Sequence, residues 1–251
     1  MKNKKLRLGL LLFLLGMIGG LSILTMDIPL PPEAQAILKD FSPLQIKLLL
    51  LVNPLIMVSI ATLIGTLLYQ KVNLRVPILE RMVGIDTTDS DIPGLLKYGV
   101  VGGLIAGVLL SLVGLLFTPI LPEEFVKLGE TLKPTLAARF LYGGLTEEIL
   151  MRFGLMTLVV WIASKIFEGQ RPVIYWIGII IASFVFALGH LPIVFQSVGV
   201  PSMGLVSYIL IGNVIGGVIF GWLYWKKGLE SAFLAHIFAH VVMVLAESIA
   251  S

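Results

Sequence analysis

Apolar residues along this chain are gathered into long runs, and polar residues are confined to the shorter stretches between them. Each run approaches the roughly 20 residues that an α-helix needs to cross a bilayer. The pattern therefore predicts an all-α protein, a polytopic integral membrane helix bundle of about seven spans. The predicted spans cover approximately residues 8–26, 47–69, 97–117, 136–163, 173–190, 204–225 and 229–249.

Two of the stretches that connect the predicted spans have sequence features that predict their structure. Residues 123–132 follow Pro119 and Pro122, and we interpret them as a short amphipathic segment at the membrane interface. A partial span between residues 119 and 134 is the alternative, and it would raise the number of spans to eight. Residues 191–203 carry no charge, and we interpret them as an apolar loop that lies in the interface or covers an opening.

The amino-terminal run follows several basic residues and resembles a signal peptide in this respect. It exceeds the 7–15 apolar residues that are typical of a signal peptide, so we expect an uncleaved first span. Lysine and arginine are concentrated in alternate connections, and this bias predicts a cytoplasmic N-terminus. We therefore expect an integral protein of the cell membrane, whose spans contact the lipid bilayer.

The composition agrees with a membrane protein, since 57% of the 251 residues are hydrophobic and only 13% are charged. The aqueous stretches are too short for a second folded unit, so we interpret residues 1–251 as a single integral membrane domain. The absence of cysteine excludes disulfides, thiolate catalysis and cysteine-ligated metals. Nothing in the sequence indicates nucleic acid as a partner, and nothing specifies an oligomeric state.

The fourth apolar run contains an unusual cluster of charge, formed by Glu147, Glu148 and Arg152. A charged side chain at the bilayer centre costs roughly 2.5–3.5 kcal/mol, so three within six residues need a reason. In α-helical geometry Glu148 and Arg152 lie one turn apart and can pair, while Glu147 points about 100° away. A buried ion pair would explain Glu148 and Arg152 but not Glu147. One turn earlier, Gly143 and Gly144 leave room for another helix or a substrate backbone.

All three histidines of the chain lie in predicted spans. His190 ends the fifth run, and His236 and His240 lie four residues apart on the seventh, on one helical face. A single histidine in a membrane helix is often only a packed, hydrogen-bonded residue. Three histidines and two glutamates on three spans are harder to explain in that way. Ionisable groups in a membrane face the bundle interior and commonly mark a functional site.

Two chemistries use such a set of side chains. In the first, a glutamate acts as general base on a water, a histidine assists, and further donors stabilise an oxyanion. In the second, the side chains hold a metal ion that activates the water. His236 and His240, together with His190 or Glu147, would then be the zinc ligands.

The charged cluster and the histidines resemble the CAAX-protease and bacteriocin-processing (CPBP/Abi) family of intramembrane proteases. The family has three signatures, Glu-Glu-x-x-x-Arg, Phe-x-x-x-His and His-x-x-x-Asn/Asp, which occur in this order. The residues that match them are Glu147, Glu148, Arg152, Phe186, His190 and His236. The resemblance covers approximately residues 135–245, which we interpret as the catalytic core.

The resemblance implies a role for each matched residue. Glu147 would be the base that activates the attacking water, and His190 would be its partner. His236 would donate a hydrogen bond to the oxyanion. Glu148 and Arg152 would orient the helix and the base.

His240 departs from the third signature, which has Asn or Asp at this position. A neutral histidine still donates one hydrogen bond, so we expect His240 to act as a further oxyanion donor. Two histidines at this spacing also form a good zinc pair. We favour a mechanism without a cofactor and keep zinc as the alternative, because a glutamate that ligates zinc cannot readily serve as the base.

These observations predict an intramembrane endopeptidase that hydrolyses peptide bonds of membrane-associated substrates, which are peptides or membrane proteins. One alternative is a non-proteolytic membrane scaffold or bacteriocin-immunity protein of the same family. Another is a small transporter with a glutamate–histidine proton relay. Transporters of this kind show repeated halves with interrupted helices, and the sequence shows neither feature.

Overall fold

A computed structural model of the chain describes residues 2–30, 32–88 and 90–250. Within these ranges every regular element is a helix, and seven helices are long and apolar enough to cross a membrane. The predicted all-α integral membrane fold is therefore confirmed. The seven spans are Asn3–Thr25, Pro43–Val72, Ile92–Phe117, Ala138–Ile166, Pro172–Val198, Met203–Lys227 and Leu229–Ile249.

Several spans consist of more than one helical segment. The α-helices are α1 (Lys2–Leu21), α2 (Pro32–Ile37), α3 (Pro43–Leu50), α4 (Val52–Leu68), α5 (Pro77–Met82), α6 (Ile92–Phe117), α7 (Pro122–Thr131), α8 (Thr157–Ile166), α9 (Pro172–Gly189), α10 (Leu191–Val198), α11 (Met203–Lys227) and α12 (Leu229–Ala250). Short 3₁₀ turns follow α1 and α4, at Ser22–Thr25 and Tyr69–Val72. The fourth span begins with π-helical geometry, at Ala138–Glu147 and Ile149–Met156.

The outer faces of the spans are apolar. On α6, the exposed side chains include Leu104, Ile105, Val108 and Leu112. Such a surface is costly in water and suits the hydrocarbon core of a bilayer. The cytoplasmic position of the N-terminus and the location in the cell membrane stay predictions.

The predicted amphipathic segment is α7, whose ten residues are too few to cross a bilayer. The described part of the chain therefore contains no eighth span between residues 119 and 134. The interpretation of residues 191–203 as a loop is wrong, because α10 occupies most of this stretch. Pro192 ends the preceding helix but begins α10, since the first turn of a helix tolerates a residue without an N–H group.

A row of glycines on α6 determines how closely α12 approaches. A Cβ atom at Gly103 would lie 2.5 Å from the carbonyl oxygen of Ala235, and one at Gly107 would lie 2.8 Å from that of Ala239. Such small residues let two helix backbones pack closely in a membrane. Because Ala235 and Ala239 each precede a histidine, this contact positions His236 and His240 in the bundle.

The π-helical part of the fourth span is held on its other side by α1. The hydroxyl of Thr146 donates a hydrogen bond of 2.7 Å to the carbonyl oxygen of Gly16. A side chain at Gly19 would collide with Thr146 and with the backbone of Leu141. The segment that carries the acidic residues therefore lies between α1 and α12.

Candidate active site

The acidic cluster lies in a π-helix and not in the α-helix that the sequence pattern predicts. Both helix types place residues four positions apart on about the same side, so the spacing of Glu148 and Arg152 does not separate them. π-Helical turns are rare, and many of them lie at functional sites. The wider coil still allows the predicted contact between Glu148 and Arg152.

The predicted ion pair between Glu148 and Arg152 is confirmed. The Nε atom of Arg152 lies 3.2 Å from Oε2 of Glu148, and both side chains are at most 1% exposed. The Nη2 group of Arg152 donates a hydrogen bond of 3.2 Å to the carbonyl oxygen of Gly217. The guanidinium also packs against the rings of Phe186 and Phe220, with its central carbon 5.0 and 5.6 Å from their centroids. A charge held in this way is stabilised without access to water.

Glu148 has a second partner that the sequence did not reveal. Its Oε1 atom lies 2.8 Å from Nδ1 of His236, within hydrogen-bonding distance. The ring of His236 also stacks on Phe220, with centroids 4.7 Å apart and planes 23° apart. One buried carboxylate therefore fixes both the arginine of its own helix and a histidine of α12.

Glu147 points away from this pair and lies between two imidazoles. Its Oε1 atom is 3.8 Å from Nε2 of His190, and its Oε2 atom is 3.8 Å from Nε2 of His236. Both distances exceed a direct hydrogen bond and are of the size that one water can bridge. The side chains of Glu147 and His190 are 17% and 31% exposed, so this part of the site is open to its surroundings.

The partners of Nδ1 determine which nitrogen of each ring carries the proton. Nδ1 of His190 lies 2.9 Å from the carbonyl oxygen of Phe186, which can only accept a hydrogen bond. Nδ1 of His236 faces the carboxylate of Glu148, which also accepts. Neutral His190 and neutral His236 therefore both present an unprotonated Nε2 toward Glu147.

His240 stacks on His236, with ring centroids 5.0 Å apart and planes 20° apart. Its Nδ1 atom is buried and has no hydrogen-bond partner among the described residues. A buried N–H group without a partner is rarer than a buried acceptor without one, so the proton of neutral His240 belongs on Nε2. A Cβ atom at Gly143 would lie 2.9 Å from this Nε2 and 3.3 Å from Nε2 of His236. His240 is therefore suited to donate a hydrogen bond close to the Nε2 atom of His236.

The structure brings all six predicted site residues together, although they come from three spans. The sequence pattern did not predict that α11 contributes to the site, where it supplies Gly217 and Phe220. These residues are a small and an apolar residue in an apolar helix, and no sequence signature marks them. Only the packing of α11 against the site reveals their role.

The predicted zinc ligands are His236 and His240 with His190 or Glu147, and among the described residues they are not grouped around one point. A catalytic zinc needs three protein ligands that converge on one point. Across residues 2–30, 32–88 and 90–250, no three side chains of His, Asp or Glu are placed so that they could hold one metal ion. His236 and His240 stack with ring planes 20° apart. The contact of His236 Nδ1 with Glu148 leaves Nε2 of His236 free to bind a ligand. The choice between a mechanism without a cofactor and a zinc-dependent one stays a prediction.

Comparison with known proteins gives one finding on the family. Residues 130–242 match the family model described as type II CAAX prenyl endopeptidase Rce1-like. This segment contains all the site residues described above. No curated protein and no solved structure shows a significant match to the chain. The resemblance to the CAAX-protease and bacteriocin-processing family of intramembrane proteases is therefore confirmed over residues 130–242, which are similar to that family.

Proposed function

We propose that this protein is an endopeptidase that hydrolyses peptide bonds of membrane-associated substrates in or near the bilayer. The family match supports a protease of the CAAX type. The observation that carries the proposal is the position of Glu147, with one carboxylate oxygen 3.8 Å from each of two Nε2 atoms. The carboxylate of Glu147 and the two unprotonated Nε2 atoms are separated by distances that one water can bridge. Such a site can accept a proton from that water.

The first step is the activation of the attacking water. A water held between Glu147 and His190 donates one hydrogen bond to the carboxylate and one to Nε2. As its oxygen attacks the carbonyl carbon of the substrate, its proton passes to Glu147. Positioned general bases contribute roughly 10²–10⁴-fold to the rate of such steps.

The second step is the collapse of the tetrahedral intermediate. His240 carries its proton on Nε2 and donates a hydrogen bond to the oxyanion. The proton taken from water is transferred to the nitrogen of the leaving amine as the C–N bond breaks, so the products are a carboxylic acid and an amine. Glu148 and Arg152 are positioning residues, since they hold His236 and the helix and do not face the reacting atoms.

His236 has a different role in this proposal from the one that the family resemblance implies. A neutral His236 that donates through Nδ1 to Glu148 can only accept through Nε2. It therefore assists Glu147 as a second acceptor for the proton, and oxyanion donation falls to His240. The donor role of His236 stays a prediction of the resemblance, and comparison of His236→Gln with His236→Ala tests it.

The test of the proposal is hydrolysis by the purified protein in detergent or in vesicles. Lipid-anchored peptides should be cleaved by the wild type and by Glu130→Gln, which changes an exposed glutamate of α7. Glu147→Gln should express normally and abolish cleavage. Cleavage that persists in Glu147→Gln would contradict the assignment of the base, and a stable, inactive wild type would favour a scaffold or immunity protein.

Independence from metal ions is part of the same proposal. Exhaustive chelation should leave the rate of cleavage unchanged, and metal analysis should show no stoichiometric zinc. Loss of activity on chelation, followed by recovery when zinc is added, would overturn the metal-free mechanism while leaving the protease function in place.

A further inference from the structure

Most lysine and arginine residues of the chain lie together at one end of the bundle. Hydrogen bonds join the segment 69–91 to Lys4 at the start of α1, to Gln170 between α8 and α9, and to Leu229 at the start of α12. These connections therefore share one end, which we call the basic end. Its basic residues are Lys4, Lys5, Arg7, Lys71, Arg75, Arg81, Lys97, Lys165, Arg171, Lys226 and Lys227.

The opposite end of the bundle has fewer basic residues. There the hydroxyl groups of Thr25 and Thr135 lie 2.6 Å apart, and Nη1 of Arg139 lies 2.9 Å from Oε1 of Glu247. Cytoplasmic connections of membrane proteins carry an excess of lysine and arginine, so the charge distribution predicts that the basic end faces the cytoplasm. The charged residues of the opposite end are Lys39, Lys47, Lys127, Lys133 and Arg139, together with Asp27, Glu33, Asp40, Glu123, Glu124, Glu130 and Glu247.

The candidate active site lies away from the basic end. Helix α9 begins at Pro172, at the basic end, and has 18 residues before His190. At 1.5 Å per residue, His190 lies about 27 Å along the helix axis from that end. The hydrocarbon core of a bilayer is about 30 Å thick. His190 therefore lies close to the opposite boundary of the membrane, where α10 begins.

The packing around the fourth span differs on the two sides of Glu147. Toward the basic end, Phe153 and Tyr224 have no exposed surface and belong to the apolar core. Toward the opposite end, residues 139–142 are all only partly buried. A peptide that approaches Glu147 from the basic end would have to displace the buried core, whereas one that approaches from the opposite end would not.

We propose that the active site opens on the extracytoplasmic face of the membrane, and that its substrates are exported peptides and the extracytoplasmic segments of membrane proteins. This inference rests on the proposed protease function, because it specifies the substrate class for the same site. Helices α7 and α10 lie at this face and are joined there, since Nζ of Lys127 donates a hydrogen bond of 2.7 Å to the carbonyl oxygen of Val198.

The first measurement determines which face each end of the bundle occupies, and it does not depend on activity. The chain has no cysteine, so Thr88→Cys and Thr118→Cys each introduce a single thiol and the wild type is the blank. Both threonines are exposed, and they flank α6 at the basic end and at the opposite end. A membrane-impermeant maleimide should label Thr118→Cys in intact cells and Thr88→Cys only in inside-out vesicles. The reverse pattern would overturn the inference.

The second measurement uses two reporter proteins with one transmembrane helix each. They carry the same library of peptide segments, on the cytoplasmic side in one reporter and on the extracytoplasmic side in the other. Only the extracytoplasmic reporter should be cleaved, and Glu147→Gln should abolish this cleavage. Cleavage of the cytoplasmic reporter that depends on Glu147 would overturn the inference and support the proposed protease function. The expected labelling without cleavage of either reporter would support the orientation of the site and refute the proposed function.

Discussion

Replacement of Arg152 by alanine is the most direct perturbation of the charged core. The residue is 1% exposed, and Glu148, its ion-pair partner, is fully buried. In Arg152→Ala the carboxylate of Glu148 would keep only His236 as a polar partner. The carbonyl group of Gly217 would also lose the hydrogen bond from Arg152. We therefore expect a large loss of stability in addition to a loss of activity.

The size of the effect follows from the burial of the pair. Removal of one partner of a buried ion pair costs about 3–5 kcal/mol, because the remaining charge has no compensation. The lost contacts with the aromatic rings and with Gly217 belong to the same free energy and are not added to it. For chains of 150–250 residues, each kcal/mol lowers Tm by roughly 2–4 °C, so Arg152→Ala should lower Tm by about 6–20 °C.

Arg139→Ala is the control, since it removes an arginine whose partner is exposed. Exposed ion pairs contribute about 0–1 kcal/mol, so its Tm should fall by less than about 4 °C. The assay is thermal unfolding of the purified proteins in one detergent, followed by size-exclusion chromatography or by intrinsic fluorescence. Equal shifts in the two variants would refute the conclusion that the buried pair supports the fold.

A double variant separates stability from catalysis at the same pair. Glu148→Leu combined with Arg152→Met removes both charges, and similar apolar volume often restores the stability of a buried pair. The double variant should regain most of the lost Tm but stay inactive, because His236 no longer has the acceptor that orients it. Recovery of activity together with stability would show that Glu148 does not position His236.

Two further predictions concern the space around the histidines. His240→Asn should retain most of the activity, because an amide also donates a hydrogen bond, whereas His240→Leu should be inactive. Loss of activity in both variants would favour a role that only an imidazole can fill, such as metal binding. Gly143→Ala should reduce kcat more than stability, because its Cβ would lie 2.9 Å from Nε2 of His240, whereas Gly144→Ala should mainly reduce stability, because its Cβ would collide with Ile237. Peptide hydrolysis and thermal unfolding of the same preparations check both predictions. If Gly143→Ala and Gly144→Ala lose kcat and Tm to the same extent, the prediction for the glycines is contradicted.

The candidate site residues could be predicted from the sequence, whereas their contacts across helices could not. Glu147, Glu148 and Arg152 were predictable because charge is so costly in a membrane helix that it stands out in the sequence. His190 and His236 were predictable because their spacing from neighbouring residues follows short signatures. The partners of these side chains were not predictable, because a contact between two helices depends on their relative rotation and depth.

The amino-acid sequence by itself determined the number of spans, their approximate limits and the identity of the candidate site residues. Each of these depends on local composition, on run length or on spacing along one helix. The sequence left the π-helical geometry, the helix α10 and the participation of Phe220 undetected.

The tertiary structure alone decided which nitrogen of His190 and of His236 faces Glu147. That choice depends on the bond between Glu148 and His236 and on the carbonyl group of Phe186. The first of these contacts exists only because α12 approaches α6 closely enough at Gly103 and Gly107 to bring its histidines to this depth. Hydrogen bonds act over about 3 Å, so small differences in helix packing determine which residues can react.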